Sequence, residues 1–234
     1  MQVKAIKTAV FRENEDLIRF ILRYVKKLPE KSILVVTSKI IALSEGRTVE
    51  LKDEKQKARI IKKESEFAIK TKRAWLTIKD GAVMASAGVD ESNAAGKLIL
   101  LPRNSFVSAE MIRNELMKKF KVQKLGVLVT DSRTFPLRAG IVGMALGYAG
   151  FKGIRDYRGT GDIFGRKLKM SRTNVADSLA AAAVLCMGEG KERQPLAILE
   201  DAPAVFSQTI NPKEILINPK IDLYLPFFRR ILRK

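Results

Sequence analysis

The stretch KSILVVTSKIIALSEGR (31–47) decides the fold class. Its core, Ser32 to Thr37, is a run of aliphatic and β-branched residues without a charge, which predicts a short buried strand. Just before it, Leu17, Ile18, Ile21, Leu22, Val25 and Leu28 recur at helical spacing, which predicts an amphipathic helix over 15–28. Pro29 and Glu30 end that helix, and Ser44 to Arg47 turn the chain after the strand. A helix feeding a buried strand is a unit of folds that combine helices with a sheet.

The rest of the chain keeps that alternation. Residues 54–72 predict a charged helix with Ala58, Ile61, Ser65 and Ala68 on its thin inner face. The turn Lys79-Asp80-Gly81 between 74–78 and 82–87 predicts a hairpin. Strands are expected at 98–101, 125–130 and 195–199, and a helix at 108–120. Gly140, Gly143, Gly147 and Gly150 mark close backbone packing. Thr173 or Asn174 caps a helix running to about Met187. No repeat or linker interrupts the pattern. The expectation is an α/β (α+β) fold with a mixed β-sheet, one domain over 1–234, its weakest joints near Lys79–Asp80 and after Asp201.

Composition narrows the chemistry. The 234 residues contain no histidine and one cysteine, Cys186. That excludes hydrolases with a histidine base, His-ligated zinc or iron sites, and an intramolecular disulfide. A metal, if used, takes oxygen ligands, which points to magnesium, manganese or calcium. Lys and Arg number 44 against 25 Asp and Glu, a net charge of +19. Such an excess favours polyanions, from nucleic acid to small phosphorylated molecules. Aromatics are 7% of the chain, with one Trp, and the nucleic-acid-binding signatures are missing, so a nucleic-acid partner is not expected. No segment has the ~20 apolar residues of a membrane span. Met1 to Phe11 lacks a signal-peptide apolar run, so a cytoplasmic location is expected. The basic, amphipathic tail LPFFRRILRK (225–234) is read as docking on the protein, not as a stable membrane anchor.

Three carboxylates stand out by setting. Asp90 lies in the small-residue loop AGVDESN (87–93), Asp131 ends the strand GVLVT, and Glu189 follows the alanine-rich helix. Carboxylates from separate segments suit Mg²⁺ or Mn²⁺ held against substrate phosphates. The plainer alternative makes Asp90 a turn residue, Asp131 a helix cap and Glu189 a solvated end. A second constellation is DYRGTGD (156–162) followed by Gly165-Arg166, where glycines free the backbone and arginines suit phosphate or carboxylate. There is neither a P-loop nor a dinucleotide G-x-G-x-x-G.

Seen together, VVTSKIIALSEGR (35–47), SAGVDESN (86–93), LILLPRNSFVSAEMIR (98–113), GVLVTDS (126–132), PLRAGIVGMALGYAG (136–150), DYRGTGDIFGRKL (156–168) and ADSLAAAAVLCMGEG (176–190) resemble the coenzyme F420-0:L-glutamate ligase family, GTP-dependent γ-glutamyl ligases. The resemblance implies a mixed α/β fold of two intertwined subdomains and a homodimer. It implies GTP, two divalent cations (Mn²⁺ or Mg²⁺) and often a monovalent one such as K⁺. The implied reaction phosphorylates an acceptor carboxylate, which the amine of L-glutamate then attacks. Phosphoryl transfer rests largely on positioning and electrostatics, so such an enzyme can do without histidine.

Carried over by position, Asp90 and Asp131 match metal ligands, and Ser132 and Glu189 match second-metal contacts. Ser38 and Asn93 match nucleotide contacts. Lys39, Arg138, Arg158 and Arg166 are chosen from charge and setting as phosphate or carboxylate clamps, Arg138 and Arg158 as the catalytic pair. The chain departs from the family pattern at Leu43 and Asp80, at Arg12-Glu13-Asn14 and through 133–137. The nucleotide, GTP or ATP, and the acceptor, F420-0 or a folate-like molecule, therefore stay open. So does a divergent, inactive paralogue that binds nucleotide and metal.

Overall fold

The computed structural model describes residues 1–228. In chain order its elements are β1 (Gln2–Ile6), α1 (Leu17–Tyr24), β2 (Ser32–Thr37), α2 (Ser38–Ser44), β3 (Thr48–Glu50), α3 (Glu54–Lys63), β4 (Phe67–Lys70), β5 (Trp75–Lys79), β6 (Ala82–Ala85), β7 (Lys97–Ile99), α4 (Ser105–Phe120), β8 (Leu125–Arg133), β9 (Val142–Ala149), β10 (Ile154–Asp156), β11 (Arg172–Asn174), α5 (Val175–Met187), β12 (Leu196–Glu200) and α6 (Leu225–Phe228). The fold is mixed α and β, as expected. The chain divides into two compact units: Met1–Arg47 with Pro102–Pro212, and Thr48–Leu101 with the segment from Lys213. The Lys79–Asp80 step lies inside the β5–β6 hairpin of the second unit.

The first unit is built on a five-stranded sheet in the order β1-β12-β2-β8-β9. Only the β2–β8 pair is parallel, with Thr37 opposite Thr130 at its carboxyl end. β2 is buried from Ser32 to Val36 because both sheet faces are covered. On one face Leu34, Val36, Val127, Val129, Leu196 and Ile198 pack with Phe20 and Ile21 of α1 and Ile112 and Leu116 of α4. On the other, α5 lies so close to β9 that a Cβ on Gly143 would sit 2.5 Å from Ala180 O. At Gly147 the sheet meets the start of α4, and a Cβ there would sit 2.5 Å from Phe106 N. Gly143, Gly147 and Gly150 are thus close-packing positions, as expected, whereas a Cβ on Gly140 would meet nothing within 4 Å. The stretch also forms a strand, β9, which the sequence did not suggest.

The second unit carries a three-stranded sheet, β4-β5-β6, and the β3–β7 pair. The helix expected over 54–72 ends at Lys63, and Phe67–Lys70 is a strand instead. The reason is pairing: Phe67 to Lys70 run antiparallel to Trp75–Ile78, and of α3 only Ile61 is buried. β1 and α2 are further elements that composition left unmarked. Of the tail, Leu225–Phe228 is a short helix, and 229–234 lie outside the described residues.

Candidate functional site

The site is set by β8. It does not stop before Asp131 but continues to Arg133, so Asp131 is a strand residue and not a helix cap. Asp131, Ser132 and Arg133 pair with Met144, Gly143 and Val142 of β9. Strand side chains alternate between faces. Asp131 and Arg133 therefore share the α1/α4 face, and Ser132 takes the α5 face.

Each face gathers its own group. On the first, Ser38 opens α2 immediately after β2, beside the end of β8. Its Oγ donates to Asp131 Oδ1 at 3.4 Å, and Arg133 Nη2 lies 3.3 Å from Asp131 Oδ2. The Arg133 side chain is 3% exposed and that of Asp131 26%. Lys39 follows Ser38 in the first turn of α2. On the second face, Ser132 Oγ donates to Glu189 Oε1 at 2.5 Å. Glu189 is brought there by α5, which Gly188 ends at φ 81°. Thr130 shares this face, and its buried Oγ1 has no hydrogen-bond partner among the described residues. Both groups lie near the carboxyl end of β8, which is where open α/β sheets bind ligands.

The remaining candidates belong to other segments. Asp90 and Asn93 belong to the second unit. Asp90 bridges to Ile99 through its backbone, and its carboxylate accepts from Ser92 N at 2.7 Å and Ser92 Oγ at 2.9 Å. It holds a turn, whatever else it does. Arg138 lies in the exposed β8–β9 loop. Arg158 and Arg166 lie on the long β10–β11 hairpin. Arg158 bonds Asp156 through Nε at 2.9 Å and Nη2 at 2.5 Å. That pairing holds the Asp156 carboxyl down at about 2 and raises the Arg158 guanidinium above its usual value. Arg166 N donates to Asp162 Oδ1 at 2.9 Å and closes the hairpin tip.

A residue that sequence reading missed is Arg133. The signal was present: two positions beyond Asp131 is the same face of a strand, provided the strand runs that far. Supporting β8 and β9 from the α5 side is Asp177, whose Oδ1 accepts from Ala145 N at 2.9 Å. The register slips between Val129 and Thr130, where β9 carries an extra residue, and Asp177 takes the N–H beside that bulge. Burial pushes its carboxyl above the usual value, against the two hydrogen bonds it accepts.

The donors fit a hard divalent ion, since carboxylate and hydroxyl oxygens are what Mg²⁺ and Mn²⁺ take. The orphaned Thr130 hydroxyl beside Ser132 adds a further oxygen. Among the described residues no three acidic side chains form a ready cluster. Asp131 on one face and the Ser132–Glu189 pair on the other are the first unit's candidate holders. An ion there would supply charge neutralisation for phosphate oxygens.

Residues 5–201 match the family model described as F420-0:Gamma-glutamyl ligase. The chain belongs to that family. The matched span contains all ten candidate residues of the site. The coenzyme F420:L-glutamate ligase of Methanococcus maripaludis is 31% identical over 242 aligned positions, covering 96% of this chain and 97% of that protein. The ligase of the same name from Archaeoglobus fulgidus is 32% identical over 208 positions, covering 81% and 83%. That of Methanocaldococcus jannaschii reaches 40% over a shorter 141 positions, 58% and 56% of the two chains. The resemblance read from the sequence is thereby borne out at the level of family and enzyme class, a ligase. No helix among the described residues is long and apolar enough to cross a membrane.

Proposed function

We propose that this protein is a nucleotide- and divalent-metal-dependent γ-glutamyl ligase. It joins the amine of L-glutamate to a carboxylate of a cofactor precursor, coenzyme F420-0 or a folate-like acceptor. The nucleotide, GTP or ATP, gives its terminal phosphoryl group to that carboxylate. The amine then attacks the acyl phosphate, the C–N bond forms and inorganic phosphate leaves. The observation that carries this reading is the meeting of Ser132 with Glu189 at the end of β8, on the sheet face opposite the one that Asp131, its neighbour in sequence, takes; all three are family-matched positions. In this reading Asp131, Ser132 and Glu189 of the first unit are ligands of two Mn²⁺ or Mg²⁺ ions, with K⁺ as a further cation, and Asp90 of the second unit is assigned as a ligand by its match to the family pattern alone. Ser38, Lys39, Asn93 and Arg166 contact nucleotide, and Arg138 and Arg158 face the reacting phosphate. The active form is a homodimer by the same family resemblance.

The test is mass spectrometry after incubation with GTP or ATP, L-glutamate, Mn²⁺ and a panel of F420 and folate acceptors. Gain of one or more glutamyl units on one acceptor supports the ligase. Thermal stabilisation by nucleotide and Mn²⁺ with no product on any acceptor supports a binding-only paralogue instead, a reading that Leu43 and the altered 133–137 segment favour.

A further inference from the structure

Arg133 lies at the edge of the proposed site without a role in it. Its guanidinium is 3% exposed and 3.3 Å from Asp131 Oδ2. The other oxygen, Oδ1, faces the Ser38 hydroxyl at 3.4 Å. The two carboxylate oxygens thus have different neighbours, one a buried cation and the other a hydroxyl at the end of the parallel strand pair. An arginine does not lose its proton in a protein, and a buried charge is not readily left without its partner. Arg133 is therefore a permanent positive charge against Asp131.

We propose that Arg133 is a positioning residue: it reserves Asp131 Oδ2, leaves Oδ1 as the oxygen offered to a divalent ion, and sets how tightly that ion binds. This rests on the reading of Asp131 as a cation ligand. A fixed guanidinium repels an incoming divalent ion and denies it two-oxygen coordination. Wild-type protein then binds the bare ion weakly, and a polyanion such as a triphosphate has to accompany it. The chemical meaning is selection: the site fills with ion plus nucleotide rather than with ion alone.

The experiment is Mn²⁺ binding to the full chain without nucleotide, read from the electron paramagnetic resonance of free Mn²⁺. The forms compared are wild type, Arg133→Met, Arg133→Lys, Asp131→Asn and the double variant Asp131→Asn/Arg133→Met. Circular dichroism melts check each fold. Expected are binding at least about tenfold tighter in Arg133→Met, near wild-type affinity in Arg133→Lys, and loss in both forms that lack Asp131. Unchanged or weaker binding in Arg133→Met, with binding still lost in Asp131→Asn, overturns the role of Arg133 alone. Binding that survives Asp131→Asn removes Asp131 as a ligand and takes this inference with it. If Arg133→Met fails to fold, Arg133→Gln, neutral but still a donor, replaces it under the same expectations. A tenfold gain in Arg133→Lys, which keeps the charge, also overturns the proposal.

Discussion

Ser132 Oγ donates to Glu189 Oε1 at 2.5 Å, across 57 residues of sequence. The contact joins β8 to the residue just beyond α5, and it puts a hydroxyl and a carboxylate side by side at the rim of the sheet. Loss of either partner should therefore act on the chemistry more than on the fold.

For Glu189→Gln and Ser132→Ala, the expected drop in phosphate release is about 10- to 100-fold. Both positions are at the surface end of their elements, so stability should move by less than about 1 kcal/mol. Steady-state turnover with a parallel urea melt separates the two. Full turnover in both variants would remove this pair from the site.

Asp131→Asn leaves the buried Arg133 facing a neutral amide. The amide still offers an oxygen, and Asp131 is partly exposed, so the expected loss is about 1–3 kcal/mol. Urea melts of the single variant read it directly. A melt identical to wild type would show that the pair contributes nothing to stability.

Gly147→Ala should be far more damaging than Gly159→Ala. At Gly147 the new methyl would meet the backbone of Ser105 and Phe106, which cannot swing aside. At least about 2–3 kcal/mol is expected there. Gly159 has φ 84° but open space within 4 Å, so only the backbone cost of about 1–2 kcal/mol applies. Denaturant midpoints of the two variants give the comparison, and equal losses would contradict the close approach of β9 to α4.

Asp177 predicts a pH signature. Its folded carboxyl is raised above the ordinary 3.8 mainly by burial. Over the window between that value and the raised one, the folded state holds more proton than the unfolded state. Its contribution to stability therefore falls as pH rises through the window. Asp177→Asn cannot titrate, so the stability of wild type relative to this variant should decline as pH rises above 3.8. Urea melts at several pH values measure it, and a flat or opposite trend would exclude Asp177 as the cause.

Several elements were legible in the sequence because their signals are local. The strand at 32–37 is an uncharged run around the aliphatic Ile33–Val36, and it falls where the residues place it. The helix after Asn174 shows its cap, and Asn174 Oδ1 accepts from Asp177 N at 3.0 Å. Other elements have no local signal. Phe67–Lys70 continues the helical phase of α3, and only pairing with β5 turns it into a strand. The glycine-rich GIVGMALGYA reads only as a place of close backbone packing until β8 lies alongside it and makes it a strand.

The candidate site divides in the same way. The sequence by itself determined the family and the α and β content, and with no histidine and one cysteine it confined any metal site essentially to oxygen ligands. Residue types and motif order carry that information, and the absence of histidine narrows it. It also singled out Asp131, Ser132 and Glu189. Only the tertiary structure decided that β8 runs on past Asp131, which sends Asp131 and Ser132 to opposite faces of the sheet. It likewise joined Ser132 to Glu189 and set Arg133 against Asp131. These are matters of strand length, register and burial, fixed by which segments pair across the sheet. No single segment of the chain contains them.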